Sequence, residues 1–180
     1  MRAGNQKADF ASIVLPHLPD ALTMATWLAG NRADAEDIVQ EACLRAFRAI
    51  STYAGGSARA WTLTIVRNCA YAWLRTNRRA EVVSFDDLDE EQRARAEVGG
   101  DLSSALTSTP EAELISEADA ESLKAAIEDL PPQFREVLVL RDIQGLDYRE
   151  IAQVTSVPLG TVMSRLARAR RRLLMSIGGQ

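Results

Sequence analysis

The segment from Gly145 to Leu166 constrains this chain more than any other. Gly145-Leu146-Asp147-Tyr148-Arg149-Glu150-Ile151-Ala152 is followed, after a short break, by Pro158-Leu159-Gly160-Thr161-Val162-Met163-Ser164-Arg165-Leu166. Ile151, Ala152 and Val154 supply the apolar side of a short helix, and Asp147 stands where its carboxylate can cap the first turn. Thr155-Ser156-Val157 makes a tight connection. Pro158 suits the first turn of a second helix, where its missing N–H costs nothing. The pattern predicts a helix-turn-helix, a motif whose second helix lies in the DNA major groove.

A helical wheel supports that expectation. Leu159, Val162, Leu166, Ala169 and Leu173 share one face. Thr161, Ser164, Arg165, Arg168, Arg171 and Arg172 share the opposite one. Arginine can bond two acceptors on guanine or bridge phosphates, and Ser and Thr reach base edges or phosphates. The plainer alternative is a solvated basic helix whose arginines complement its own C-terminal dipole.

The net charge of −4 conceals a segregation. Residues 1–80 carry +4, residues 81–129 carry −12 and residues 130–180 carry +4. Two basic modules therefore flank an acidic middle, and both are nucleic-acid candidates that the overall charge would hide. At 180 residues, 47% of them hydrophobic, the chain fits one ordinary domain or two small ones. No apolar stretch is long enough to span a bilayer, and the first residues lead into a helical pattern without a signal peptide. Cys43 and Cys69 sit in apolar helical stripes, as reduced core residues of a cytoplasmic protein would; a contact between them stays open. His17 is the only histidine, so no zinc spacing exists, and neither a metal nor a cofactor is expected.

Periodicity predicts an all-α chain with helices near 8–29, 33–50, 60–78, 112–129, 132–143, 147–154 and 158–176, without strands or repeats. Between them, Asp86-Asp87-Leu88-Asp89-Glu90-Glu91, Gly99-Gly100 and the Ser/Thr run to Pro110 form a flexible acidic linker. The expected domains are 1–80 and 112–180, joined by 81–111. The linker has two readings: a solvating tether, or an acidic strap that folds over the basic faces and competes with DNA.

In the N-terminal module, Ala35, Ile38, Val39, Ala42, Cys43, Ala46, Phe47 and Ile50 follow the spacing of a core stripe. The other face carries Asp37, Gln40, Glu41, Leu44 and Arg48. Leu44 is a large apolar side chain pointing away from the core, which suits a docking surface with a hydrophobic anchor and polar rim; a single exposed Leu also needs no explanation. The next helix buries Ile65, Val66, Cys69, Ala70 and Trp73. It shows Arg67, Asn68, Tyr71, Arg75, Arg78 and Arg79 on its other face. Cations interleaved with an aromatic and an amide suit unpaired bases, which stack on the ring while arginines hold phosphates. A solvated helix with Tyr71 half-buried is the equal alternative. The preceding Gly55-Gly56-Ser57 can close around an extruded base, or be only a flexible turn.

Taken together, Asp34 through Phe47, Tyr53 through Trp61 and Ile65-Val66-Arg67-Asn68 strongly resemble region 2 of a bacterial sigma factor. Leu130-Pro131, Phe134-Arg135-Glu136-Val137-Leu138 and the helix-turn-helix resemble region 4. The order and short connection are similar to the extracytoplasmic-function (group IV) sigma factors of the sigma-70 family. The resemblance implies a non-enzymatic initiation factor of two helical domains. Core RNA polymerase would bind Asp37, Gln40, Glu41, Leu44 and Arg48. The −10 element would be read and melted by Gly55, Gly56, Ser57, Arg67, Asn68, Tyr71, Arg75, Arg78 and Arg79. The −35 element would be read by Arg149, Thr161, Ser164, Arg165, Arg168 and Arg171. The Leu130–Arg141 helix would pack in the region 4 core and face the polymerase flap. The resemblance also implies an anti-sigma factor, with the chain a monomer when free or 1:1 with its inhibitor.

Three departures stand out. Met163 occupies a position where the family often has Arg or Lys, on the shoulder of the core face; Ser156 replaces a common turn Gly; Thr62 replaces a common Leu. Two other functions compete. A helix-turn-helix repressor would leave the Arg67–Arg79 face and docking helix unexplained. A sigma mimic that titrates an anti-sigma factor would lack the arginines that this chain keeps. An enzyme finds no paired carboxylates or phosphate-binding loop in its support.

Overall fold

The computed structural model describes residues 2–77 and 117–178. The acidic linker, Arg78, Arg79 and the expected helix start at 112 lie outside them. The described residues are helical, with no strand among them.

The first helical pattern is two helices rather than one: α1, Arg2–Ile13, and α2, Leu18–Ala29. Pro16 and Pro19 explain the break, because each removes a donor and its ring collides with the carbonyl four residues back. A 3₁₀ turn over Leu15–His17 carries the chain between them. Gly30, at φ 82°, closes α2, and Asn31 opens α3, Arg32–Ala49, by accepting from the Asp34 amide at 2.9 Å. After a second short 3₁₀ turn and the Gly55-Gly56 loop, α4 runs Ala58–Asn77. Ala21, Met24, Leu28, Ala35, Ile38, Ala42, Leu63, Val66 and Ala70 form the core between α2, α3 and α4. Alanines at these contacts let helix axes approach at the short end of the usual range. Phe10 meets Phe47 edge-on at 5.6 Å and ties α1 to α3.

The C-terminal module begins with α5, Glu117–Glu128. Next come α6, Pro132–Leu138, and a π turn over Val139–Ile143. Together these occupy the span predicted as one helix. The helix-turn-helix follows as α7, Tyr148–Thr155, and α8, Leu159–Gly178. Asp147 caps α7 as expected and does so reciprocally with Glu150: the Glu150 amide donates to Asp147 at 2.8 Å, and the Asp147 amide donates to Glu150 at 3.2 Å. Ser156 makes the turn with φ 57° and ψ 36°, the left-handed conformation that a side chain disfavours.

The two modules pack on each other. Their buried side chains form one continuous cluster, running from Met24 and Leu63 to Phe134, Leu140, Ile151 and Val162. Helix α7 lies along α4, and α6 lies against α2.

Candidate nucleic-acid interface

Helix α8 buries Val162, Leu166 and Ala169, and half-buries Leu173, as the wheel predicts. Leu159, assigned to the same face, is instead exposed; it sits in the first turn, before α8 reaches the core. The outermost stripe is Gly160, Met163, Ala167 and Arg171. Met163 is 54% exposed, so it does not pack into the core shoulder but stands in the middle of the open face. Thr161, Ser164 and Arg168 flank that stripe and are half-buried, and Arg149 on α7 is exposed. Arg165 differs from expectation. Its side chain is 18% exposed and points toward Glu136, 3.8 Å away. Arg172 lies over the Phe134 ring at 4.7 Å, and Arg170 forms a two-point pair with Asp142 at 2.6 and 3.1 Å. Three of the five arginines on α8, Arg165, Arg170 and Arg172, thus face their own module.

The loop before α4 is held in shape. Gly55 and Gly56 both have positive φ, 97° and 91°, which an L side chain rarely adopts. The Tyr53 hydroxyl donates to the Gly56 carbonyl at 2.7 Å, and the Tyr53 ring meets Trp61 edge-on at 5.5 Å. Ser57 caps α4 by accepting from the Ala60 amide at 3.2 Å. Its hydroxyl donates to Glu150, the capping-box residue of α7, at 3.0 Å.

On α4, Asn68 and Arg75 are exposed. Arg67 and Tyr71 are not on an open face. The Arg67 guanidinium makes two bonds to Glu136, at 2.7 and 3.1 Å, and lies 4.4 Å from the Tyr71 ring centroid. Glu136 has no exposed side-chain surface. Burial alone would lower the Arg67 guanidinium, but the Glu136 charge and hydrogen bonds outweigh it and hold it above its ordinary range. Burial raises the Tyr71 phenol well above the ordinary value of 10.0, and the charge of Glu136 adds to the shift.

Further bonds close the same seam. The Arg135 guanidinium donates to the Trp27 carbonyl at 2.9 Å, and also to the carbonyls of Glu128 and Leu130. It thereby satisfies orphan carbonyls at the ends of α2 and α5. The Gln144 amide donates to the Asp20 carbonyl at 2.6 Å, and Arg59 bridges Asp20 at 2.6 Å and the Gln144 carbonyl at 2.7 Å. The seam contacts of Glu136, Arg135 and Gln144 were not legible in the sequence, since a wheel gives a residue's face but not what covers it.

The face of α3 is open. Asp37, Gln40, Glu41, Leu44 and Arg48 are all exposed, with Leu44 at 51%. Glu41 pairs with Arg45 at 2.6 Å on the same surface. Cys43 and Cys69 are free thiols, both raised by burial. No cluster of metal ligands occurs among the described residues.

A capped helix-turn-helix packed on a second helical module, with an exposed apolar side chain ringed by polar ones on α3, has the architecture of a promoter-recognition factor of sigma-70 type. Sequence comparison agrees: Sigma-70 region 2 matches residues 13–80, and Sigma-70, region 4 matches residues 120–173. The ECF RNA polymerase sigma-E factor of Escherichia coli is 37% identical over 171 residues, covering 94% of this chain and 86% of that protein. The ECF RNA polymerase sigma factor SigE of Mycolicibacterium smegmatis is 34% identical over 172 residues; the match spans 94% of this chain but 63% of that relative. The sigma factor RpoE from Bartonella quintana, solved with the anti-sigma factor NepR, superposes with a TM-score of 0.66 at 25% identity, covering 94% of this chain and 97% of that one. The chain belongs to the extracytoplasmic-function RNA polymerase sigma factors of the sigma-70 family. It is an alternative sigma factor, a family built for DNA recognition rather than catalysis.

Proposed function

We propose that this chain gives core RNA polymerase its promoter choice through two separate DNA contacts and one docking face. The observation that carries the reading is the pairing of a well-capped helix-turn-helix with an open apolar anchor, Leu44, ringed by Asp37, Gln40, Glu41 and Arg48. The α3 face docks on core. Arg149, Thr161, Ser164, Arg168 and Arg171 hold the −35 duplex, with Arg165 at the edge of that set. Asn68 and Arg75 contact the −10 strand, together with the Gly55-Gly56-Ser57 loop, Arg67, Tyr71 and the outlying Arg78 and Arg79. Two modest contacts on one tethered chain give an avidity that neither has alone.

An anti-sigma factor holds the chain inactive in a 1:1 complex, in the cytoplasm. The relative solved with NepR supports that partner class, and no described helix is long and apolar enough to cross a membrane. The test is core binding by Leu44→Asp. A charge at the anchor should weaken core binding at least about tenfold, the usual effect of losing an interface hot spot, while the helical fold is kept. Unchanged affinity would move the docking site away from α3.

A further inference from the structure

Helix α8 changes character along its length. Its opening run, Leu159-Gly160-Thr161-Val162-Met163-Ser164, carries no charge, and no acid occurs anywhere on the helix. Its first arginine, Arg165, is turned toward Glu136. Leu159, Met163 and Ala167 step by four and form one exposed ridge, with Leu159 at 44% and Met163 at 54%. Thr161, Ser164 and Arg168 line the other edge of the open face. Gly160 has nothing within 4 Å of where a Cβ would stand, so its backbone as well as the ridge can come close to a partner.

A single exposed Leu or Met needs no account. Two of them one turn apart at the start of a recognition helix do, because the N-terminal residues of such a helix are the ones that reach base edges. In the major groove guanine offers two acceptors, while adenine and cytosine each offer an amino donor. An apolar side chain pressed on any of these removes water and returns no hydrogen bond, which is costly. The 5-methyl of thymine is the one apolar group the groove presents.

We propose that Leu159 and Met163 read thymine methyl groups in the −35 duplex, so that this chain selects thymine where an arginine at the same position would select guanine. The proposal rests on the assignment of α8 to the −35 element and adds the base chemistry of that contact. Four residues of helix rise about 6 Å, close to two base steps at about 3.4 Å each, so the two methyls stand about two steps apart. The unbranched thioether of Met163 can adapt to a methyl that is not ideally placed. Arg149 and Arg171, both exposed, supply phosphate contacts that hold the register without choosing a sequence. Affinity and selectivity are thus carried by different residues.

The test uses the full chain bound to core polymerase. A fragment is first selected from duplexes randomised across the upstream element. It is then rebuilt from synthetic strands with deoxyuridine in place of thymine in that element alone, which deletes the methyls and keeps every base-pair hydrogen bond. The holoenzyme should bind the uracil duplex about tenfold more weakly, as the loss of two buried methyl contacts predicts. Leu159→Ala combined with Met163→Ala removes two exposed side chains and no core residue; it should bring the ratio between the two duplexes to about one. Arg171→Ala should weaken binding to both duplexes alike and leave the ratio as it was. A selected element without thymine, equal binding of the two duplexes by the wild-type chain, or a ratio that survives the double alanine variant overturns the methyl reading; weaker binding by Arg171→Ala in the same assay would keep α8 on the duplex. If neither Arg171→Ala nor the double alanine variant changes binding, the placement of α8 at the −35 element fails, and the proposal fails with it.

Discussion

Replacing Glu136 with Gln leaves the shape of the seam and takes away the negative charge that Arg67 and Arg165 share. The side chain is fully buried, and its partners Arg67 and Arg165 are 17% and 18% exposed. Breaking a buried ion pair by removing one partner costs about 3–5 kcal/mol, because the other charge is left uncompensated. Both arginines keep some access to water, which puts the expected loss at the lower end, about 3 kcal/mol. With a urea slope of about 2 kcal/mol/M, the unfolding midpoint should fall by about 1.5 M. Arg67→Ala leaves Glu136 with Arg165 alone at 3.8 Å, a poorer pair, and should cost about 2 kcal/mol. The double variant should lose less than the sum by about 1–2 kcal/mol, the signature of direct coupling. Urea denaturation followed by circular dichroism measures all four corners of the cycle. Additive effects, or a midpoint shift below about 0.3 M for Glu136→Gln, would refute the claim that this pair ties the modules together.

Other outcomes follow from the same geometry. Ser156→Gly should raise stability by about 0.5–1 kcal/mol in thermal unfolding, since glycine relieves the left-handed strain at φ 57°; a loss would mean the hydroxyl has an energetic role that outweighs the strain. Tyr71 should ionise only well above pH 10.0 in an ultraviolet titration, a step that Tyr71→Phe should remove. Its folded-state value is raised, so its contribution to stability is complete below pH 10 and declines as pH climbs beyond that. A Tyr71-dependent step near pH 10.0 would refute its burial. Met163→Arg places a cation in the middle of the exposed α8 stripe and should tighten duplex binding while steepening the salt dependence by about one counterion; an unchanged salt slope would take Met163 out of the DNA interface.

Much of this architecture was legible in the chain. Period-3.6 stripes gave the helices of both modules, and Asp147 and Pro158 marked the two starts of the helix-turn-helix, because capping and proline chemistry are local. The exposed Leu44 was legible for the same reason: one helix face decides it. The break at Pro16 and Pro19 was also local, yet the apolar pattern on both sides is continuous and hid it. What the pattern could not supply was the covering of one module by the other. Arg67 and Tyr71 fall on the polar side of α4 and Arg165 on the polar side of α8, which on a single helix means solvent. Glu136, among the apolar residues of α6, turns those polar sides inward. Met163 shows the converse, an apolar residue on the open side of a reading helix, where periodicity alone assigns it to the edge of the core.

The most direct measurement is abortive initiation by core RNA polymerase on a pool of promoter fragments, with and without this chain. The account predicts short transcripts only when the chain is present, from fragments sharing both an upstream and a downstream element, and their loss with Leu44→Asp. Core binding without initiation on any fragment would contradict it.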